Sequence, residues 1–295
     1  MKSRPERREL LRSAPDSLMQ QDYKSTIAAT VEFAIPVLKS EAAADLFGLC
    51  SIASPDHIPY DLLRSFHARQ GSGAVTESGF SAILKELCDH SLITAADDGD
   101  TACCFDIHRL VQTVRQDWMQ AYRDSSMRVV SAAVETAADL FNFDFLRNVG
   151  SACGSRAAYY ASLAPHCSSI AKFAQELCLE DSEDLGLLQI NLAEYLYETC
   201  KQSDGAIDLL CTARNSAKSD VLKMRATVLL ARFQHDKDID AKQRAVAELA
   251  DALECLVPQM DDHFYEIEAH SIAASLNIYL GRYDEGRERL AYRRQ

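Results

Sequence analysis

The chain has 295 residues, 47% apolar and 25% charged, so it is long enough for about two globular domains with a sizeable core. No apolar run approaches the roughly 18 residues that a membrane helix needs, and the charged stretch 1–12 is followed by no apolar signal core. We therefore expect a cytoplasmic protein without a membrane partner. The net charge of −13 argues against general binding of nucleic acid.

Ten cysteines are scattered along the chain without any C-x-x-C pair. Six of them fall within apolar helical patterns, at positions Cys50, Cys88, Cys178, Cys200, Cys211 and Cys255. Without secretory context or metal-ligand spacing, this usage is typical of buried free thiols in a reducing compartment. The sequence predicts no zinc or other metal site.

The first part of the chain reads as a polar linker followed by a winged-helix domain. Residues 1–25 are the linker, and residues 26–122 carry the domain. Apolar spacing predicts helices from Thr26 onward and over Ala42 to Ile52, then a short helix after Ile58-Pro59 and a helix over Thr76 to Ser91 that Thr76 or Ser78 caps. A predicted hairpin and a helix over Arg109 to Tyr122 complete the winged-helix order.

The hairpin and its junction with the next helix form the candidate site. Its strands are residues 92–95 and 103–108, and the turn 97–100 contains an Asp-Gly pair. Strand alternation places Phe105 and Ile107 on the apolar face and His108 on the other. Because backbone N–H groups at a helix start attract anions, we expect His108 and the adjacent Arg109 to contact a phosphate.

The second part reads as helix throughout. Residues 123–154 are predicted to form a connecting helix, over Met127 to Leu146, and an interdomain break at 150–154. Residues 155–295 are predicted to form antiparallel helix pairs in a repeat array. The predicted helices are Ala157–Leu163, Ser168–Leu179, Leu185–Cys200, Gly205–Ala217, Val221–Phe233, Ala241–Leu256, Phe264–Leu280 and Tyr283–Tyr292. Glycine at 281 is expected to end a helix, and the array is expected to be unfinished at Gln295.

Tyrosines recur in this second part, at positions 159, 160, 195, 197, 265, 279 and 283. We expect most of them to pack between helices with their hydroxyl groups at the rim. A minority is expected to line a concave groove of the kind in which helical repeats accept peptides.

An ordered series of segments resembles a known family. These segments are T-I-A-A-T-V-E-F-A-I-P-V-L (26–38), A-A-A-D-L-F-G-L-C-S-I-A (42–53), I-P-Y-D-L-L (58–63), L-K-E-L-C-D-H-S-L-I (84–93), F-D-I-H-R-L-V-Q (105–112), L-A-P-H (163–166) and G-R-Y-D-E-G (281–286). Together they resemble the winged-helix end of NB-ARC signalling ATPases (NLR-like members of the STAND class), in the branch that carries tetratricopeptide (TPR) repeats. The fold implied is mostly α, with a winged helix and a small β-hairpin followed by a TPR-like α-α repeat array.

The resemblance also implies a function in signal transduction. In that family a P-loop nucleotide-binding domain precedes this region, and a histidine matching His108 touches the ADP phosphate to hold the closed state. The chain itself has no G-x-x-x-x-G-K-[ST] sequence, so we expect it to be noncatalytic and to hold no cofactor of its own. The complete protein would bind ADP or ATP. The implied partners are a nucleotide-binding domain, in cis or in trans, and a protein bound by the repeats.

The sequence departs from the family pattern at three positions. Arg109 stands where the plant-type motif has aspartate, and Gly205 and Gly286 stand where the repeat usually has alanine.

Other interpretations of these residues stay open at this stage. His108 could be a helix-start histidine paired with Asp106 and bind nothing. The chain could be a free-standing TPR-like adaptor whose winged helix only caps the repeats, or an incomplete gene model. A DNA-reading role is disfavoured because the helix before the wing carries Glu77, Glu86 and Asp89 against Lys85 alone.

Overall fold

The structure, a computed structural model, describes residues 38, 40–70, 76–96, 104–143, 153–179, 182–234, 238–257 and 264–292. The predicted linker, residues 26–37 of the helix predicted from Thr26, and the hairpin turn at 97–100 lie outside these residues. The described chain is mostly helical with one small three-stranded sheet. It forms two compact units, residues 1–140 with 157–178, and residues 141–156 with 179–295.

The first unit contains five helices and most of a sixth. They are α1 (Glu41–Ile52), α2 (Tyr60–Gln70), α3 (Glu77–Asp89), α4 (Arg109–Ala121), α5 (Arg123–Leu140) and α6 (Cys153–Glu176). Two N-caps follow from short hydroxyl side chains, because Ser40 accepts from the Ala43 N–H at 3.1 Å and Thr76 accepts from the Gly79 N–H at 3.3 Å. Thr76 therefore caps α3, as one of the two predicted candidates.

The sheet has one strand more than the sequence predicted. Its strands are β1 (Ile58–Pro59), β2 (Thr94–Ala96) and β3 (Cys104–Asp106), in the order β1-β3-β2 with antiparallel pairing throughout. Phe105 lies opposite Ile58 on one side and Ala95 on the other. The strand β1 gave no sequence signal because it is two residues long and contains a proline, which is confined to sheet edges.

Strand alternation is confirmed around the end of β3. Phe105 and Ile107 are buried, Cys104 and Asp106 are half-buried, and His108 is exposed. The prediction that His108 lies away from the apolar face is therefore correct. The largest fully buried side chains of the first unit include Phe47, Phe66 and Phe80.

Helix α6 corrects the prediction of two helices over Ala157–Leu163 and Ser168–Leu179. The helix runs without a break through Pro165. A proline inside a helix removes one hydrogen bond and crowds the preceding turn. Here Leu163, Cys167 and Ile170 around it are fully buried, and we attribute the unbroken helix to this burial.

The boundary between the units also differs from the predicted one. We predicted a connecting helix within 123–154 and repeats from residue 155. In the structure α5 ends at Leu140, and residues 157–178 belong to the first unit together with α5. Contacts between distant residues, such as that of His166 in α6 with the backbone of His57 and Ser54, hold α6 to the first unit, and no local pattern encodes them.

The second unit contains three successive helix pairs. They are α7 (Glu183–Glu198) with α8 (Ser203–Ser216), α9 (Asp220–Phe233) with α10 (Ile239–Cys255), and α11 (Phe264–Tyr279) with α12 (Tyr283–Tyr292). Helix α9 also contacts α7, α8 and α11. One core cluster joins α7, α8 and α9, and a second joins α9, α10 and α11. Because α9 contributes side chains to both clusters, it is buried on almost all sides.

The turn between α11 and α12 is built on glycine, as predicted. Gly281 has a φ of +75°, the left-handed region in which glycine has no steric penalty. The Arg282 N–H then donates to the Asn277 carbonyl at 2.8 Å, which closes the helix end. A Cβ atom at Gly286 would lie 2.9 Å from Ile278 Cγ1 and 3.2 Å from the Ala274 carbonyl oxygen, so glycine permits the close approach of these two helices.

The predicted burial of the cysteines is confirmed for Cys50 and wrong for Cys178, Cys200 and Cys255. All eight cysteines that the structure describes to side-chain level are free. Of the six that we placed in apolar patterns, Cys50 is buried, Cys88 and Cys211 are half-buried, and Cys178, Cys200 and Cys255 are exposed. The three exposed ones lie at or just beyond helix C-termini, where the chain turns outward and the helical pattern no longer predicts burial.

Candidate functional site

His108 is the N-cap residue of α4. Its backbone is extended, with φ −63° and ψ 128°, and its Nδ1 accepts from the Leu110 N–H at 3.2 Å. An acceptor at Nδ1 places the proton of the neutral imidazole on Nε2. The ring is exposed at the junction of β3 and α4. His108 therefore offers an N–H donor at the start of a helix.

Arg109, the second predicted site residue, is bound to the preceding loop. Its Nη2 lies 3.3 Å from Asp56 Oδ2, and both side chains are more than half exposed. Exposed ion pairs contribute at most about 1 kcal/mol. An incoming phosphate could therefore take Arg109 from Asp56 at little energetic cost.

Asp106 holds the loop in place instead of pairing with His108. The His57 N–H donates to Asp106 Oδ1 at 2.6 Å, and the Ile107 N–H donates to the Pro55 carbonyl at 2.9 Å. Asp106 therefore binds the His57 N–H, and the interpretation in which Asp106 pairs with His108 is wrong. His57 has a φ of +57°, which is unusual for a residue with a side chain, and the bond to Asp106 stabilises this conformation.

His166 packs against the same loop from α6, and the sequence gave no sign of this contact. Its side chain is buried, and burial lowers the pKa of the imidazole to about 4, opposed by hydrogen bonding to the backbone of His57 and Ser54. The L-A-P-H landmark marked the residue without revealing its neighbours. His166 therefore anchors the loop that carries Asp56 and His57.

We call Asp56, His57, Asp106, His108 and Arg109 the junction cluster. It combines two carboxylates with one guanidinium and two imidazoles. This composition provides hydrogen-bond donors at His108 and Arg109 but no excess of positive charge. Among the residues that the structure describes, no group of three or more histidine, cysteine, aspartate or glutamate side chains could hold a metal ion.

A cavity of about 400 Å³ lies in the second unit among α10, α11 and α12. Its polar lining includes Gln243, Asn277, Arg282, Glu285, Glu288 and Arg289. The two arginines and two glutamates balance each other, and Arg282 lies 3.9 Å from Glu285. The charges of this cavity therefore select neither an anion nor a cation.

Two further observations concern nucleic acid and a membrane as partners. The single lysine of α3, Lys85, is bound to Asp89 at 2.6 Å, so α3 presents little free positive charge to a phosphate backbone. No helix in the described part of the chain combines the length and apolar character needed to cross a bilayer.

The comparisons with known proteins reach only the first unit. A family model described as a domain of unknown function, DUF7779, matches residues 34–123. The matched range contains α1 to α4, the whole sheet, His108 and Arg109, whereas His166 lies outside it. No curated protein and no solved structure matches the chain.

Proposed function

We propose that the chain is a noncatalytic regulatory and scaffold segment of an NB-ARC-TPR type signalling ATPase. In this role the first unit is a winged-helix domain that contacts a nucleotide-binding domain, and the second is a TPR-like array that binds a protein partner. The chain then couples the nucleotide state to partner binding. ADP or ATP belongs to the complete protein, which acts in the cytoplasm.

The order of elements in the first unit supports the winged-helix half of the proposal. The chain runs helix, strand, helix, helix, strand, strand, and the short strand β1 pairs with β3. This is the order of winged-helix domains, and β1 adds an element that the sequence pattern lacked. The helix pairs of the second unit, each packed on the next, support the repeat half.

The single observation that carries the proposal is the position of His108. It is exposed, it lies at the start of α4 where the resemblance expects a phosphate contact, and its Nε2 remains as a donor after Nδ1 caps the helix. A helix start adds its own preference for anions. A donor in this place could stabilise the ADP-bound state over the ATP-bound state.

The test is the nucleotide content of the complete gene product, purified from its native host. We expect wild type to release ADP on denaturation, His108→Ala to retain little ADP, and Arg109→Ala to lose a smaller share. Lys85→Ala is the matched control, because it removes an exposed cation outside the junction cluster. Full ADP retention by His108→Ala, in a variant with unchanged helix content, would reject the phosphate contact.

A second candidate is a free-standing adaptor in which the repeats bind protein partners and no nucleotide is involved. The three helix pairs of the second unit favour it independently of the junction cluster. A complete gene product that carries no nucleotide, but still binds a partner through the second unit, would replace the first proposal with this one.

A further inference from the structure

A short aromatic segment of the chain is packed on the helix pairs of the second unit. Phe141 and Phe143 are 0% and 4% exposed, whereas Asn142 between them is exposed. The Phe143 N–H donates to the Phe141 carbonyl at 2.9 Å, so the segment is a tight turn. Both rings meet Tyr195 edge to face, with centroids 5.5 and 5.4 Å from the Tyr195 ring. The segment thus presents two aromatic side chains to one tyrosine of α7.

The main chain of this segment is bound by buried polar side chains. Asn191 Nδ2 donates to the Phe141 carbonyl at 2.9 Å, and Arg225 Nη2 donates to the Phe143 carbonyl at 3.0 Å. These contacts join residues 50 and 82 positions apart in the chain. Hydrogen bonds to two backbone carbonyls recognise a peptide whatever its side chains, and an aromatic surface beside them adds a side-chain preference.

The binding groups are held in position before any peptide arrives. Arg225 forms a 3.0 Å ion pair with Glu194, and the exposed fractions of the two side chains are 5% and 0%. The Arg225 guanidinium also lies over the Tyr265 ring, 5.9 Å from its centroid. A cation fixed by a buried carboxylate and a ring loses little side-chain freedom when it binds a carbonyl.

The aromatic segment lies outside the two core clusters of the second unit. Those clusters consist mainly of alanine, leucine and other aliphatic residues from α7 to α11, and neither contains Phe141, Phe143 or Tyr195. The two clusters therefore form without the segment, and Tyr265 of the second cluster lies beside Arg225, which binds the segment. We call the surface formed by Asn191, Glu194, Tyr195, Arg225 and Tyr265 the aromatic groove.

Within the described part of the chain, the amide oxygen of Asn191 is left without a hydrogen-bond partner when the segment is bound. Asn191 is 0% exposed, and its Oδ1 has no hydrogen-bond partner among the residues that the structure describes. The nearby Phe143 N–H is already used inside the turn. An extended peptide would instead offer a backbone N–H to Oδ1 and a carbonyl to Nδ2, so that both atoms of the amide are satisfied.

We propose that the aromatic groove is a peptide-binding site that Phe141-Asn142-Phe143 occupies in cis, and that its partner is an extended protein segment with two aromatic side chains two residues apart. The internal segment then acts as a competitor that lowers the apparent affinity for the partner. This inference rests on the protein-binding half of the proposed function and names the chemistry of the partner.

The test uses a fluorescently labelled peptide with the sequence of residues 138–144 and the full-length chain, followed by fluorescence anisotropy. In Phe141→Ala/Phe143→Ala the groove is emptied, and we expect the peptide to bind roughly tenfold or more tightly than to wild type, because internal competition is removed. Adding Asn191→Leu should abolish this binding. A peptide with both phenylalanines replaced by alanine should not bind.

The outcomes separate a docking site from a structural core. If the emptied variant keeps its helical circular dichroism but does not bind the peptide, the proposal is overturned. If the emptied variant does not fold, Phe143→Ala alone is tested instead; failure of that variant to fold or to bind also overturns the proposal. ADP content of the complete gene product is a separate measurement, so the phosphate contact at His108 can fail or hold independently.

Discussion

At the scale of single residues, His166 couples the stability of the first unit to pH. Burial lowers the pKa of His166 to about 4 in the folded chain, whereas an unfolded histidine titrates near 6.5. Below about pH 6.5 the unfolded state takes up a proton that the folded state still excludes. The stabilising contribution is therefore complete above pH 6.5 and is lost as the pH falls toward 4.

We expect the first unit of wild type to lose up to about 2 kcal/mol of unfolding free energy from this group between pH 7 and pH 5. His166→Gln cannot titrate but keeps a side-chain donor, so its stability should change less over the same range. Urea denaturation at the two pH values, followed by the fluorescence of Trp118, measures the difference. His90→Gln, at the end of α3, is the control and should retain the wild-type pH dependence. An equal loss in wild type and His166→Gln would contradict the assignment.

The buried ion pair of Arg225 and Glu194 is the second residue whose loss should be measurable. Removing one partner of a buried pair costs about 3–5 kcal/mol, whereas replacing both by apolar residues is often nearly neutral. We expect Arg225→Met to destabilise the second unit by that amount and Glu194→Leu/Arg225→Met to recover most of it. The control is Lys85→Met, which breaks an exposed pair and should cost less than about 1 kcal/mol. Urea denaturation followed by circular dichroism reports both effects.

At the scale of helices, two glycines at matching places in their pairs should respond in opposite ways to alanine. At Gly286 an added Cβ would lie 2.9 Å from Ile278 Cγ1, whereas at Gly205 it would have no atom within 4 Å. Overpacking costs about 1–3 kcal/mol, which exceeds the helix-propensity gain of about 1 kcal/mol. We therefore expect Gly286→Ala to lower and Gly205→Ala to raise the unfolding free energy. Stabilisation by both changes would show that α11 and α12 can separate without cost.

The helices were predicted from sequence with good accuracy because their apolar spacing is regular. Helices α7 to α12 begin and end within a few residues of the expected positions. The helical pattern failed where tertiary contacts decide, as in the strand β1, which exists through pairing with β3, and in α6, which continues through Pro165.

In the candidate site, too, local patterns predicted some features and tertiary contacts determined the others. Strand alternation and a helix start were enough to predict that His108 is exposed at the junction. The contacts of Asp56, His57 and His166 were not predictable, because they join residues about 50 or more positions apart. The aromatic segment was not predictable for a related reason. The apolar spacing predicts a helix over Met127 to Leu146, which includes Phe141, whereas α5 ends at Leu140.

At the scale of the whole molecule, the chain consists of two units with separate cores, and its single tryptophan lies in only one of them. Trp118 belongs to α4 in the first unit, where the Arg115 guanidinium lies 4.3 Å from the centroid of its ring. Tryptophan fluorescence therefore reports on the first unit, while circular dichroism reports on the helices of both. Units with their own cores generally unfold as separate cooperative steps.

We expect urea denaturation of wild type to give different midpoints by these two signals. Arg225→Met should shift the circular dichroism transition to lower urea and leave the fluorescence transition in place, because the ion pair belongs to the second unit. His166→Gln at pH 7 should shift the fluorescence transition, because that residue is buried in the first unit. If both signals instead coincide and move together in each variant, the chain unfolds as one cooperative body, and a change at the junction cluster would then alter the stability of the second unit as well.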